Sequence, residues 1–244
     1  MTHIESNSPR RAIREEIQTF LTQKGEDWWK YFSASILTHW RIMFEDFVPR
    51  YLHGRVLDDG CGNTPYLEVI KQYSEQLVLL DHNISYPELN VCSDVRKLPF
   101  SNDSFDCVLS FQVLEHVANP FEATQEIGRI LKPGGVLLLS VPHLSRLHEL
   151  PHDYFRYTEN GLLELAKSAN LEVLEIKPTG GLVVFLGHQI SMVFMTSLWQ
   201  VKFLRPLLLA INKYFLTKFL VAIDKFAGFP FLFPQGYAMV AKKQ

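Results

Sequence analysis

The sequence predicts an α/β protein built on a doubly wound, seven-stranded sheet, and three observations lead there. Seven short apolar runs are bounded by polar, Gly or Pro residues: Arg55–Asp58, Gln76–Leu80, Leu89–Cys92, Phe105–Phe111, Gly135–Val141, Leu171–Pro178 and Gln235–Lys242. Such runs are what strands buried on both faces look like. Stretches of helical periodicity, 65–73, 120–131 and 158–169, alternate with them, and that alternation implies βαβ units. With 244 residues, 47% of them hydrophobic, the chain has enough apolar material for a well-buried core with one insertion besides.

Each part of the chain then takes a place. From Arg10 to Leu52 apolar residues recur at three- and four-residue spacing, predicting amphipathic helices separated near Gly25, so 1–54 is expected to be an N-terminal helical lid region. Within it Trp28-Trp29-Lys30-Tyr31-Phe32 reads as a cover over a ligand or, more simply, as an aromatic face packed on the core. Residues 55–181 are expected to form the sheet core. Pro120 is placed to start one of its helices and Pro133-Gly134-Gly135 to stop it. The stretch 182–233, rich in Phe, Leu, Val, Ile and Met, is expected to be a helical insertion, and 234–244 to return as the final strand.

The bulk properties exclude several classes. A net charge of −2 with no dense run of Lys or Arg offers nothing for phosphate backbones, so nucleic acid is not expected as a partner. Cys61, Cys92 and Cys107 are odd in number and widely spaced, so neither a disulfide framework nor a zinc site is expected. The first sixteen residues lack an apolar stretch of the secretory type, which points to a cytoplasmic protein.

Chemistry concentrates after the first strand. Val56-Leu57-Asp58-Asp59-Gly60-Cys61-Gly62-Asn63 places a glycine turn where the backbone must turn tightly and approach a ligand. Alone that is a weak signal, and Pro65 stands where a dinucleotide fingerprint needs its third glycine. Acidic residues at the ends of successive strands strengthen it. Asp81 closes the second strand, about twenty residues after the turn, where a carboxylate can accept from both hydroxyls of a ribose. Asp94 follows the third strand and can accept from the amine of an adenine.

Taken with Asp94 through Leu98-Pro99-Phe100, Ser104-Phe105-Asp106-Cys107-Val108, Val113-Leu114-Glu115-His116-Val117 and Arg129-Ile130-Leu131-Lys132-Pro133-Gly134-Gly135, the turn resembles the class I S-adenosylmethionine-dependent methyltransferases. More narrowly it is similar to the small-molecule branch that includes ubiquinone-type methyltransferases. The likeness covers roughly Arg55 to Val141. It implies a Rossmann-like sheet with its last strand antiparallel, S-adenosyl-L-methionine as cofactor and no metal. It also implies that Asp58, Gly60 and Gly62 line the methionine moiety, that Asp81 holds the ribose, that Asp94 and the Val95 backbone meet the adenine, and that Phe111 and Gln112 flank the sulfonium. Asp59 departs from the family pattern, where an apolar residue is usual, and so does Thr64, where a further glycine is common.

Two motifs compete with that reading. His148-Glu149-Leu150-Pro151-His152 matches the zinc-protease pattern H-E-x-x-H, but Pro151 disrupts the helix that pattern requires. Glu115-His116 resembles a catalytic pair, yet in the family this stretch opens a helix beside the cofactor, so a structural role is expected. Acceptor contacts are expected after the fifth strand, from His143, His152, Asp153, Tyr154 and Arg156, with His143 or His152 as general base toward a hydroxyl. The bland alternative is a capping motif with Thr158 as N-cap and Asp153 paired to Arg156.

The expected function is therefore methyl transfer to the oxygen or nitrogen of a small-molecule, glycan or lipid acceptor. The alternatives are an inactive S-adenosylmethionine-binding scaffold and a nicotinamide-dependent oxidoreductase, the latter disfavoured by the missing glycine. In the insertion, Leu182 to Trp199 carries no Asp, Glu, Lys or Arg. Gly187, His188, Gln189 and Ser191, over a bare 18 residues, nevertheless make it a poor spanning helix. Residues 182–233 carry a net +4 against −6 for the rest, the pattern of an interfacial helix, which a substrate lid or a dimer contact would share. A lid with peripheral membrane contact is the favoured reading.

Overall fold

The computed structural model describes residues 13, 16–17, 19–21, 30–64, 66–84, 86, 88–227 and 229–244. Gly25, Trp28, Trp29 and Pro65, singled out in the sequence, lie outside the described residues. The chain divides into two compact units. One comprises 42–143, 154–177 and 237–244, and the other comprises the described residues up to Arg41 together with 144–153 and 178–236. Residues 42–54, expected with the N-terminal helices, thus group with the sheet, while 144–153 group with the helices.

The first unit is a seven-stranded sheet: β1 (Arg55–Asp59), β2 (Gln76–Asp81), β3 (Val91–Cys92), β4 (Phe105–Phe111), β5 (Leu131–Pro142), β6 (Leu171–Pro178) and β7 (Gly236–Lys243), in the order β3-β2-β1-β4-β5-β7-β6 with the last strand antiparallel. The central pairs are parallel, Val56 opposite both Leu77 and Cys107. Leu57, Leu80, Val108 and Leu137 are fully buried, as strands covered on both faces require.

Much of the recognised motif set turns out to be architecture. Asp106 accepts from the Arg55 N–H at 2.9 Å and from Lys132 Nζ at 2.7 Å. Gly54, at φ +65°, precedes them because a Cβ there would meet Asp106 Oδ2 at 2.6 Å. Arg129 donates to the carbonyls of Phe100 and Leu98 at 2.7 and 3.0 Å, clamping the Leu98-Pro99-Phe100 loop onto its helix.

Helix α1 (Ala34–Ile42) belongs to the other unit but for its last residue; in this one a helical stretch, 43–51, precedes β1, and α2 (Leu67–Lys71), α3 (Pro120–Ile130) and α4 (Glu159–Ser168) follow. Asn119 caps α3 and Thr158 caps α4. Pro133-Gly134-Gly135 does not simply stop α3. Strand β5 already begins at Leu131, and the glycines carry an irregularity, Phe105 pairing Leu131 while Cys107 pairs Val136. Gly134 sits at φ +80° and Gly135 lies under backbone carbonyls that a Cβ would strike, so these residues bend the strand.

The second unit is helical. Between β6 and β7 run α5 (Leu182–Leu198), a long helix α6 (Lys202–Phe226) and the short α7 (Phe229–Leu232). Helix α6 opens with one 3₁₀ turn and passes through a π-helical stretch, Asn212–Phe219. Asp224, buried, accepts from the N–H groups of Gly181, Val183 and Val184 at 2.7, 2.9 and 3.2 Å. A carboxylate far along the chain thereby caps α5. Gly187 lets the two helices close up, since a Cβ there would meet Leu220 Cδ1 at 2.7 Å. Trp199, Leu208, Leu209, Ile17, Leu21 and Phe32 form the core of this unit. Phe32 is thus core, as the simpler reading of its aromatic cluster expects.

Candidate active site

Three residues of the loop after β1 adopt left-handed backbone: Gly60 (φ +80°), Gly62 (φ +54°) and Thr64 (φ +53°). Thr64 therefore takes the conformation a glycine would, at a cost of about 1–2 kcal/mol. The N–H groups of Gly60 and Cys61 both donate to the Leu80 carbonyl, at 2.8 and 3.0 Å, pinning the turn to β2. A Cβ on Gly60 would lie 2.4 Å from Val113 Cγ2, whereas one on Gly62 would meet nothing within 4 Å. Gly62 thus faces open space, the room a ligand needs.

Asp81 stands beside it. Its carboxylate accepts from the Gly62 N–H at 3.0 Å and the Asn83 N–H at 2.9 Å, which fixes both oxygens in place. Asp58, Asp59 and Asp81 are all nearly or fully buried. Burial, then the charge of Asp81, pushes the Asp58 carboxyl up to about 7. Burial, reinforced by Asp58, holds Asp59 well above the carboxylate range. Neither Asp59 oxygen has a hydrogen-bond partner among the described residues. Burial likewise pushes the Cys61 thiol up to about 12, so it is no nucleophile. Asp94 is different: exposed, it is gripped by the Arg96 guanidinium, which holds its carboxyl below the usual range. Val95 beside it is buried.

Phe111 ends β4, and Gln112 follows at φ +57°, its N–H donating to the Ser140 carbonyl at 2.8 Å. Around Phe111 the fold assembles an aromatic trio that sequence reading missed. Phe44 lies 4.4 Å from Tyr66 and 5.8 Å from Phe111, and Tyr66 lies 6.4 Å from Phe111, between ring centroids. Tyr66 carried a faint signal, two residues past Thr64. Phe44 carried none, being one apolar position of a helix among many.

The helix that follows the turn, α2, offers few free N–H groups. It begins at Leu67, and the N–H groups of Leu67, Val69 and Ile70 are taken by the carbonyls of Thr64 and Tyr66. Among the described residues the edge is therefore acidic and aromatic, and the first turn of α2 is largely occupied by its own backbone bonds. That edge suits a ligand carrying hydroxyls and positive charge, and it suits poorly the pyrophosphate of a dinucleotide.

The expected acceptor residues divide between the units. His143 follows β5 in the sheet unit, its Nδ1 lying 2.7 Å from the Tyr157 carbonyl. A carbonyl only accepts, so Nδ1 is the donor of this bond. Arg156, also in the sheet unit, donates to the Phe155 carbonyl at 2.7 Å, and Tyr154 is exposed. His152 and Asp153 belong to the helical unit. His152 is exposed, and Asp153 accepts from the His148 N–H at 2.8 Å. Residues 148–152 are not helical, so the two histidines of the H-E-x-x-H match lack the shared face that zinc proteases use. Leu114–His116 forms a single 3₁₀ turn. Its backbone serves structure, since Tyr157 Oη donates to the Leu114 carbonyl at 2.7 Å and the Tyr154 N–H to that of Glu115 at 2.8 Å.

Strand order, glycine turn and acidic strand ends are together similar to those of the class I methyltransferase domains, whose cofactor is S-adenosyl-L-methionine. Residues 57–139 match the family model described as a methyltransferase domain. Among curated relatives, a probable S-adenosylmethionine-dependent methyltransferase of Mycolicibacterium smegmatis is 27% identical over 158 residues, 60% of this chain and 61% of that protein. A ubiquinone biosynthesis O-methyltransferase of Coxiella burnetii is 23% identical over 203 residues, 69% of this chain and 86% of the relative. The chain spans about three-fifths or less of the length of the first curated relatives it matches. Among solved structures, the [4+2]-cyclase SpnF superposes with a TM-score of 0.58 at 20% identity, covering 86% of this chain and 81% of its own. At that identity the likeness concerns the fold alone.

Proposed function

We propose that this chain binds S-adenosyl-L-methionine at the edge formed by β1, β2 and β4 and transfers its methyl group to the oxygen or nitrogen of a small-molecule, glycan or lipid acceptor. The observation that carries the reading is the buried carboxylate cluster at the ends of β1 and β2 together with an aromatic trio at the end of β4, the first turn of α2 being largely occupied by its own backbone bonds. Asp81, its oxygens oriented by two backbone N–H groups, is placed to accept from both ribose hydroxyls. Asp58, with Gly60 and Gly62 leaving backbone room, is placed for the ammonium of the methionine moiety. Asp94 and the Val95 backbone are assigned to the adenine. Phe111 and Gln112, with Tyr66 and Phe44 behind them, flank the place of the sulfonium, where ring faces attract positive charge.

The cofactor supplies a methyl carbon on a positively charged sulfur, which departs as a neutral thioether when the acceptor lone pair forms the new bond. The work left to the chain is alignment and exclusion of water. His143, which follows β5, is our candidate for taking the proton of a hydroxyl acceptor. His152, Asp153 and Arg156 remain assigned to acceptor contact, and the setting to the cytoplasm.

Isothermal titration with S-adenosylhomocysteine tests the site. Asp81→Ala is expected to weaken binding by about 1.5–3 kcal/mol, the value of lost charge-assisted hydrogen bonds. Unchanged affinity removes the ribose assignment, and tighter binding of NADH than of S-adenosylhomocysteine removes the reading altogether. Binding without methyl transfer to any of a panel of phenols, amines and hydroxylated lipids favours the scaffold.

A further inference from the structure

The helical unit buries one face of α6 and leaves the opposite one bare. Leu208, Leu209, Leu216 and Val221 point into the unit's own core, yet Phe203, Leu207, Ile211, Phe215 and Phe219 are exposed at intervals of four residues, with exposed Phe226 seven further on. The most prominent are at the ends, Phe203 82% and Phe226 96% exposed, and Phe231 of α7 adds a third at 83%. Helix α5 bears a parallel stripe of exposed Leu186, Ile190 and Val193. Soluble proteins seldom leave an apolar surface of that extent to water. By length and composition α6 is apolar enough to cross a membrane, but its inner face is committed to the core and a third of its most apolar stretch is buried.

We infer that the exposed face of α6, with Phe231 beside it, docks on an anionic lipid surface. Charge selects the occupant. Around this face stand Lys202 and Lys225, both exposed, and Lys213 and Lys218, whose ammonium groups lie over the rings of Tyr31 and Tyr214. The negative charge of the segment, Asp224, is consumed as the cap of α5. A second copy of the chain, meeting this patch with the same patch, would oppose lysines to lysines, whereas anionic headgroups complement them and the acyl boundary receives the phenyl rings. The arrangement is that of a helix lying along a membrane surface.

The inference goes beyond the methyl-transfer reading and is tested separately from it. The full chain is floated with vesicles of phosphatidylcholine plus phosphatidylglycerol, and with phosphatidylcholine alone. The expected result is flotation with the mixed vesicles, weaker with the neutral ones and weakened by salt. Replacing Phe203, Phe226 and Phe231 together by Ser is expected to lower partitioning at least about a hundredfold, with melting temperature and S-adenosylhomocysteine affinity retained. Lys202→Glu with Lys225→Glu provides an independent variant, expected to lose at least about tenfold. Absence of flotation by the wild-type chain, or flotation indifferent to both variants, overturns the inference. So does a dimer in light scattering that dissolves in the Phe→Ser variant while vesicles capture neither form. Loss of cofactor binding in the wild-type chain would strike the methyltransferase reading and leave this one standing.

Discussion

Asp59 is the residue whose replacement is expected to help the protein most. It ends β1 fully buried, and neither of its carboxyl oxygens finds a hydrogen-bond partner among the described residues. A buried polar group in that position costs about 1–3 kcal/mol. Valine has nearly the same side-chain volume, is β-branched, and suits a buried parallel strand. Asp59→Val is therefore expected to stabilise the fold by about 2 kcal/mol, a rise in melting temperature of roughly 4–8 °C for a chain of this size. The pH dependence sharpens the test. Burial raises the Asp59 carboxyl in the folded state well above its ordinary 3.8, so above pH 4 the folded chain holds a proton that the unfolded chain releases. Stability conferred by that proton is full below the unfolded value and falls as pH rises toward the folded one, by up to about 1.4 kcal/mol per pH unit. Removing the carboxyl removes that slope. The advantage of Asp59→Val should then be larger at pH 8 than at pH 5 in parallel melting experiments, and Asp59→Asn, which still buries an amide, should gain little at pH 5 and only the pH-dependent part at pH 8. A variant destabilised at both pH values, or a gain independent of pH, refutes the argument and means that the carboxyl is paired in the folded protein.

Three further outcomes follow from the same geometry. The Asp58 carboxyl, raised to about 7 by burial and by Asp81, must be ionised to hold an ammonium. Affinity for S-adenosylhomocysteine should accordingly rise by up to tenfold per unit as pH climbs from 6 toward 7 and level off above; a flat titration profile in Asp58 wild type would contradict it. Asp224→Ala strips the cap from three N–H groups of α5 and is expected to cost about 3 kcal/mol, read by urea unfolding or by early proteolysis within 182–233, with a loss under about 1 kcal/mol counting against the cap. In the loop after β5, His152→Ala and Arg156→Ala should leave melting temperature and S-adenosylhomocysteine affinity intact while lowering turnover. His143→Ala should also lower stability, through its bond to the Tyr157 carbonyl. Cofactor affinity falling in step with turnover in His152→Ala would assign the loop to packing.

The sheet was legible in the sequence because buried parallel strands require continuous apolar runs, and such runs are local. Arg55–Asp59, Phe105–Phe111 and Leu171–Pro178 could be marked within a residue of their ends. The glycine turn and the aspartates at strand ends were legible for a related reason: backbone geometry and carboxylate chemistry admit few residue types at those places. By itself the sequence determined the class of fold and pointed to the class of cofactor and to the residues proposed to hold it. Tertiary structure decided what depends on distant segments meeting. It brought Phe44 and Tyr66 to Phe111, gave Asp224 to the N-terminus of α5, and left Asp59 without a partner beside Asp58. It also showed that the apolar residues of α6 fall on two faces, one buried and one bare. A sequence records that a residue is apolar, but whether that residue finds a neighbour depends on packing between segments far apart in the chain.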